Sequence, residues 1–293
     1  MFRMHTVFIS GPIALISFLG PQNLIVGAEP PRLAIVHCGV QPSEDAPYAA
    51  RDYRFLPGDY LYFTFQISGF GIRSEERGEV EKINLSYEVT PQDANGVALA
   101  PPNSGNIQTE LSPEDKDWMP KRQVSFLIPS FVAAGEFRVH VHVKDLVANS
   151  DASQEIPFSI GGIQIQPSSS ITVENFRFLR NENDAQALEL PAYSPGDMIH
   201  ARFDMVGFRI DSQNHYHLAY GLVVFRPDGT PFVQQPNAAE VESSSFYPAQ
   251  FLPGVIDLKT SPSASRGEYI IVLTIRDLLA GTISQSRRGF SIE

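Results

Sequence analysis

Two histidine pairs are spaced two residues apart, His140-Val141-His142 and His215-Tyr216-His217. Side chains at i and i+2 of a strand share one face, so each pair could offer two imidazoles to one metal ion. A zinc site needs further ligands, and no recognised ligand spacing supplies them. The residues between the histidines belong to an apolar alternating set, which puts the imidazoles on the solvent side. Oxygen-rich stretches raise calcium as an alternative: Asp93, Asn95, Asp228 and the run Glu114-Asp115-Lys116-Asp117. The first three stand where turns are expected, and Lys116 splits the run, so turn formers and a solvated loop are the expectation. No resident metal and no cofactor is expected, with calcium left as the open alternative.

Nucleophilic chemistry lacks its signatures. The chain has no Gly-x-Ser-x-Gly elbow, no His-Glu-x-x-His and no phosphate-binding glycine loop. Cys38 is the only cysteine, so an internal disulfide is impossible, and a buried structural thiol is expected. His37 beside it makes no dyad, because neighbours on a strand face opposite ways. Tyr60 and Tyr62 are the candidate ligand-binding residues. They lie on the outer face of an expected strand, where aromatic rings can stack on a sugar or a partner surface. The competing expectation is that a sheet, loop or domain covers them. Lys and Arg number 22 against 33 Asp and Glu, a net charge of −11. That balance repels phosphate backbones, so nucleic acid is not an expected partner.

The elements that must position these residues are written twice. Pro57-Gly58-Asp59, Phe65, Gly69, Phe70 and Ile72 return as Pro195-Gly196-Asp197, Phe203, Gly207, Phe208 and Ile210, a shift of 138. Gly135-Glu136-Phe137, Lys144-Asp145-Leu146 and Phe158-Ser159-Ile160 return as Gly267-Glu268-Tyr269, Arg276-Asp277-Leu278 and Phe290-Ser291-Ile292, a shift of 132. Within each copy, apolar residues alternate with polar ones. Leu61, Phe63, Phe65 and Ile67 match Ile199, Ala201, Phe203 and Met205. Phe137, Val139, Val141 and Val143 match Tyr269, Ile271, Leu273 and Ile275. Period two with Gly, Pro and Asn/Asp breaks predicts strands, and the 23 prolines argue against long helices. The first copy carries extra residues around Arg73–Glu81, expected to be a surface loop. The final hairpins are expected to turn through Asp145–Ser153 and Asp277–Ser284, with Asp145 and Asp277 accepting hydrogen bonds from turn amides.

The N-terminus reads as a secretory signal. Arg3 precedes the apolar runs 7–9 and 13–19, and Val26-Gly27-Ala28 places small residues at an expected cleavage point. The expected organisation is a signal peptide at 1–28 and β-sandwich repeats at 32–162 and 168–293. The mature chain is then expected to be secreted or periplasmic, with no membrane span.

The motif of Gly-x-Phe/Tyr, alternating apolars, Asp-Leu, a hairpin and a closing Phe-Ser-Ile covers Gly135–Ile160 and again Gly267–Ile292. It resembles the C-terminal half of bacterial exported immunoglobulin-like and fibronectin-III-like modules. The resemblance implies an all-β fold, tandem duplicated immunoglobulin-like β-sandwich domains after a signal peptide, used for spacing or binding. The leading expectation is a non-enzymatic binding or spacer module whose partner is a protein or glycan at the cell envelope. A carbohydrate-binding accessory protein and a hydrolase with a site at the domain junction are the alternatives.

Overall fold

A computed structural model describes residues 32–74, 81–112, 115 and 117–293. The expected signal peptide, most of the expected insertion loop, and Glu114 and Lys116 of the acidic run lie outside the described residues. Every regular element among the described residues is a strand.

The first repeat contains β1 (Ala34–Gln41), β2 (Arg54–Phe55), β3 (Tyr60–Ser68), β4 (Arg73–Ser74), β5 (Glu81–Asp93), β6 (Asn103–Leu111), β7 (Lys121–Leu127), β8 (Gly135–Asp145) and β9 (Ser150–Ile160). The second contains β10 (Thr172–Leu179), β11 (Ala192–Tyr193), β12 (Met198–Val206), β13 (His215–Phe225), β14 (Pro231–Ser244), β15 (Leu252–Lys259), β16 (Gly267–Asp277) and β17 (Thr282–Ile292). A three-stranded sheet β1-β3-β7 belongs with a larger sheet β2-β9-β8-β5, to which β4 and β6 add. The second repeat follows the same plan, β10-β12-β15 with β11-β17-β16-β13-β14. In both, a two-residue strand runs parallel to the last strand: Phe55 opposes Ile160, and Tyr193 opposes Ile292. This arrangement is the all-β, immunoglobulin-like sandwich.

The alternating apolar sets form the cores. Phe63, Phe65, Ile67, Val139, Val141 and Val143 are fully buried, as are Ile199, Ala201, Leu273 and Ile275. The polar faces are not uniformly wet. Thr64 is buried and donates to Gln41 at 2.6 Å under the loop that follows β1. Asp204 is buried and accepts from Asn175 Nδ2 at 2.9 Å; burial pushes its carboxyl up, and that hydrogen bond opposes the shift.

The first strand of each repeat carries the same kink. Register shifts between Val36 and Gly39 in β1, and between Glu174 and Arg177 in β10. His37 and Asn175, again 138 apart, adopt positive φ there, at 47° and 49°. Each is tied to the neighbouring strand at matching positions, His37 Nδ1 to Gln66 Oε1 at 2.6 Å and Asn175 to Asp204. Cys38 lies in this bulge half-buried rather than buried, because the bulge breaks the alternation that would turn it fully inward. Burial still pushes its thiol up.

The final hairpins turn in fewer residues than expected. β9 begins at Ser150 and β17 at Thr282. Asn149 and Gly281, at φ 52° and 68°, let the chain reverse at once. Asp145 and Asp277 hold these turns closed. Asp145 accepts Val147 N and Ala148 N through Oδ1 at 2.8 and 3.0 Å, and Gly71 N through Oδ2. Asp277 accepts Leu279 N, Ala280 N and Arg209 N at 3.0, 2.9 and 2.7 Å. Each buried carboxylate thus ties its own hairpin to the segment after β3 or β12.

The two repeats exchange aromatic side chains. Tyr247, from the segment between β14 and β15, packs in the first repeat's core, and its hydroxyl donates to Asp93 at 3.1 Å. Phe131, from the segment between β7 and β8, packs against the second core and stacks edge-on with Phe251. Gln250 spans the joint: its Oε1 accepts Ala133 N at 2.6 Å, its N donates to Phe131 O at 3.0 Å, and its Nε2 donates to the Tyr247 hydroxyl at 3.0 Å. Burial and the Asp93 carboxylate push the Tyr247 phenol far up, so it remains a donor.

Candidate functional site

The site starts from β3 and β7, whose antiparallel register sets Tyr60 opposite Leu127 and Tyr62 opposite Ser125. Leu61 and Phe63 are buried, so the period of two turns both tyrosines to the outer face of the three-stranded sheet. Tyr60 is 55 % exposed and Leu127 51 %; Tyr62 is half-buried. The two rings are 6.4 Å apart and inclined by 43°. The loop after β1 covers the rest of this face. Tyr48 lies over Gly39, where an added Cβ would stand 2.8 Å from the ring, and its hydroxyl donates to His37 O at 2.5 Å.

Beside Leu127 the surface opens into a cleft of about 640 Å³ between the repeats. Ser125 and Leu127 from β7 form one wall, Pro101, Pro102 and Pro129 line it, and Phe246 and Tyr247 close it from the second repeat. Phe246 is 53 % exposed at the rim. Among the described residues no charged side chain lines the cleft. Its hydroxyls come from Ser125, Ser130, Ser245 and Tyr247, with no imidazole or carboxylate in the lining; Ser245 donates to Tyr247 O at 2.6 Å. Such a lining offers apolar contact and hydrogen bonds but no general base.

The equivalent face of the second repeat has different chemistry. Met198, His200, Asp257 and Lys259 replace Tyr60, Tyr62, Ser125 and Leu127. His200 Nδ1 lies 2.8 Å from Asp257 Oδ1, and Arg202 Nη1 donates to the same oxygen at 3.1 Å. Burial works to raise the Asp257 carboxyl, but His200 and Arg202 together hold it below the usual carboxylate range.

Of the other candidates read from the sequence, only Asp93 touches this site, by accepting the Tyr247 hydroxyl. His215 and His217 contact Glu242 and Glu240 across the β13–β14 pair at 3.1 and 2.7 Å, and His142 lies 3.7 Å from Asp151. Among the described residues no three His, Cys, Asp or Glu side chains gather as metal ligands. Asp93 Oδ1 accepts Asn95 N and Val97 N at 2.8 and 2.9 Å, and Asp228 Oδ1 accepts Thr230 N at 2.9 Å, so both serve as turn formers. Asp115 caps its own turn by accepting Ser112 N at 3.0 Å. Leu127, Phe246 and the three prolines were not singled out from the sequence. Leu127 was legible in principle as an apolar residue on the polar face of a strand. The rest come together only through the joint between repeats.

No protein-family model matches the chain, and no curated protein matches it. Among solved structures, the C-terminal domain of the AgI/II polypeptide BspA of Streptococcus agalactiae aligns at 12 % identity, over 87 % of this chain and 99 % of that one, with a TM-score of 0.29. Escherichia coli alpha-2-macroglobulin activated by porcine elastase aligns at 12 % identity, over 91 % of this chain and 22 % of that one, with a TM-score of 0.27. Likeness at this level carries no argument about activity or partner.

Proposed function

We propose that this chain is an exported, non-enzymatic binding and spacer module at the cell envelope. Its sandwiches at 32–162 and 168–293 are held together by the exchanged aromatics, and the first presents Tyr60, Tyr62 and Leu127 to a protein partner. The observation that carries this is the difference between two copies of one fold. Two tyrosines and Leu127 stand exposed on one face, where the other copy carries no aromatic ring and sets a His–Asp–Arg cluster beside exposed Met198 and Val255. Exposed apolar groups beside an uncharged cleft suit a protein surface. A flat sugar ring needs a planar platform, and the 43° tilt between the tyrosines favours a contoured partner over a glycan.

Replacing both tyrosines by Ala is expected to lower capture of the envelope partner by about tenfold, because exposed aromatic anchors dominate interface energies. The melting temperature should barely move, since surface changes usually stay within about 0.5 kcal/mol. Capture assays of the double variant against the unchanged protein, with a glycan array in parallel, provide the check. Undiminished capture would remove this face from the function.

Export is the second part of the proposal. The chain is expected to be cut after Ala28, so N-terminal sequencing of material outside the cytoplasm should read Glu29-Pro30-Pro31. An intact Met1 there would refute cleavage. Among the described residues no helix is long and apolar enough to cross a membrane.

A further inference from the structure

The three-stranded sheet of the first repeat ends at β7. Constant-type immunoglobulin sandwiches place a fourth strand at this position. β7 uses every second residue to bond β3: Ile67 N donates to Pro120 O at 3.1 Å, and Ile128 N donates to Asp59 O at 2.9 Å. In an antiparallel ladder the intervening residues direct their N–H and C=O groups the other way. Those of Gln123, Ser125 and Leu127 therefore point along the open edge, and among the described residues their backbone groups have no partner.

The second repeat blocks part of the same edge, at the counterparts of Lys121 and Gln123. Pro253 stands where β7 has Lys121 and carries no N–H. Val255 stands where β7 has Gln123; its carbonyl accepts the Tyr220 hydroxyl at 2.6 Å, and its N–H lies 3.4 Å from that hydroxyl. Burial pushes the Tyr220 phenol up, which keeps it a donor. Tyr87, the first repeat's counterpart, instead lies over Gly105 of β6, where an added Cβ would fall 2.6 Å from its hydroxyl. Proteins usually blunt exposed edges. Here the second copy is blunted at Pro253 and Val255, while the first is open from Gln123 to Leu127 beside an uncharged cleft.

We propose that β7 is the docking edge for an extended peptide segment of a partner protein, which adds to the three-stranded sheet as its next strand. This rests on the reading that the partner binds the first repeat. Backbone hydrogen bonds to Gln123, Ser125 and Leu127 supply attachment, and alternate side chains enter the cleft, the division of labour of strand addition. Those side chains are uncharged, because the cleft is. At the other end of β7 stands exposed Lys121, which an acidic residue at the end of the added strand would complement.

The probe is a short synthetic peptide of alternating Val and Thr with Glu at one end, made in both orientations, with a counterpart N-methylated at alternate amides. Binding to the purified protein is followed by hydrogen exchange of individual amides. The expected result is slowing of the Ser125 and Leu127 amides by about tenfold or more at saturation, lost with the N-methylated peptides. Ser125→Pro removes one edge donor without touching the β3 ladder, and Pro is tolerated on an edge. It should weaken peptide binding about tenfold with the melting temperature unchanged. Failure of every peptide to bind, or binding without protection of these amides, overturns strand addition. Partner capture separates the two proposals. If Ser125→Pro captures normally while the double tyrosine variant does not, strand addition fails and the binding face stands. If neither variant affects capture, both fail.

Discussion

Truncating Phe203 or Phe65 to Ala is expected to cost about 3–5 kcal/mol of folding stability, the usual range for an aromatic removed from a core. Phe65 is fully buried, lies 5.7 Å from Phe63 and meets Tyr87 edge-on at 5.6 Å. Phe203 is 1 % exposed, stacks on Phe176 at 6.0 Å and meets Tyr220 edge-on at 5.2 Å. It also presses on Gly254, where an added Cβ would come within 2.1 Å of the ring. With neighbours fixed in two facing sheets, the space left by the ring cannot close by a small shift. Denaturant titration of each variant measures the loss. A change below about 1 kcal/mol would mean that the site collapses around the deletion, against the packing described above.

Asp277→Ala is expected to destabilise by about 3 kcal/mol, because hydrogen bonds to charged groups each contribute about 1.5–3 kcal/mol and the carboxylate that makes three of them is buried. Three backbone N–H groups lose their acceptor together, two in the hairpin and Arg209 N across the sandwich. Asp277→Asn should also destabilise, since its amide can turn only one acceptor oxygen towards donors that now occupy two. Asp145→Ala should behave alike, because its carboxylate makes the equivalent contacts. Chemical unfolding is the direct test. A neutral Asp277→Ala would show that water or a rearranged turn satisfies these amides.

Much of the fold was legible because alternation is a local signal. The apolar sets of β3, β8, β12 and β16 follow from period two alone, and the cores contain them. β1 and β10 were not legible for the same reason turned round. Ile35 and Val40 are both buried although they are five positions apart, a step that strict alternation would put on opposite faces, because the bulge at His37 changes which face the chain presents. The two-residue strands β2 and β11 are too short to carry a period, and only pairing with the last strand defines them. The candidate site was half legible. Tyr60 and Tyr62 follow from the alternation, while the cleft depends on which residues the joint brings beside Leu127. Whether the edge is open at Gln123 depends on where the Tyr220 and Tyr87 hydroxyls reach, and pattern alone assigns those residues the same place.

The aromatic exchange at the joint also bears on how copies of this fold could be strung together. A head-to-tail contact propagates into a filament when each unit offers both halves of it. At the shift of 132, Tyr247 corresponds to Asp115 and Phe131 to Ser263. The two residues of the grip are therefore not repeated in the other copy, although the segment that holds Asp115 carries an exposed ring of its own, Trp118, against Phe70. The Tyr247–Phe131 grip is thus made for one pairing in one order.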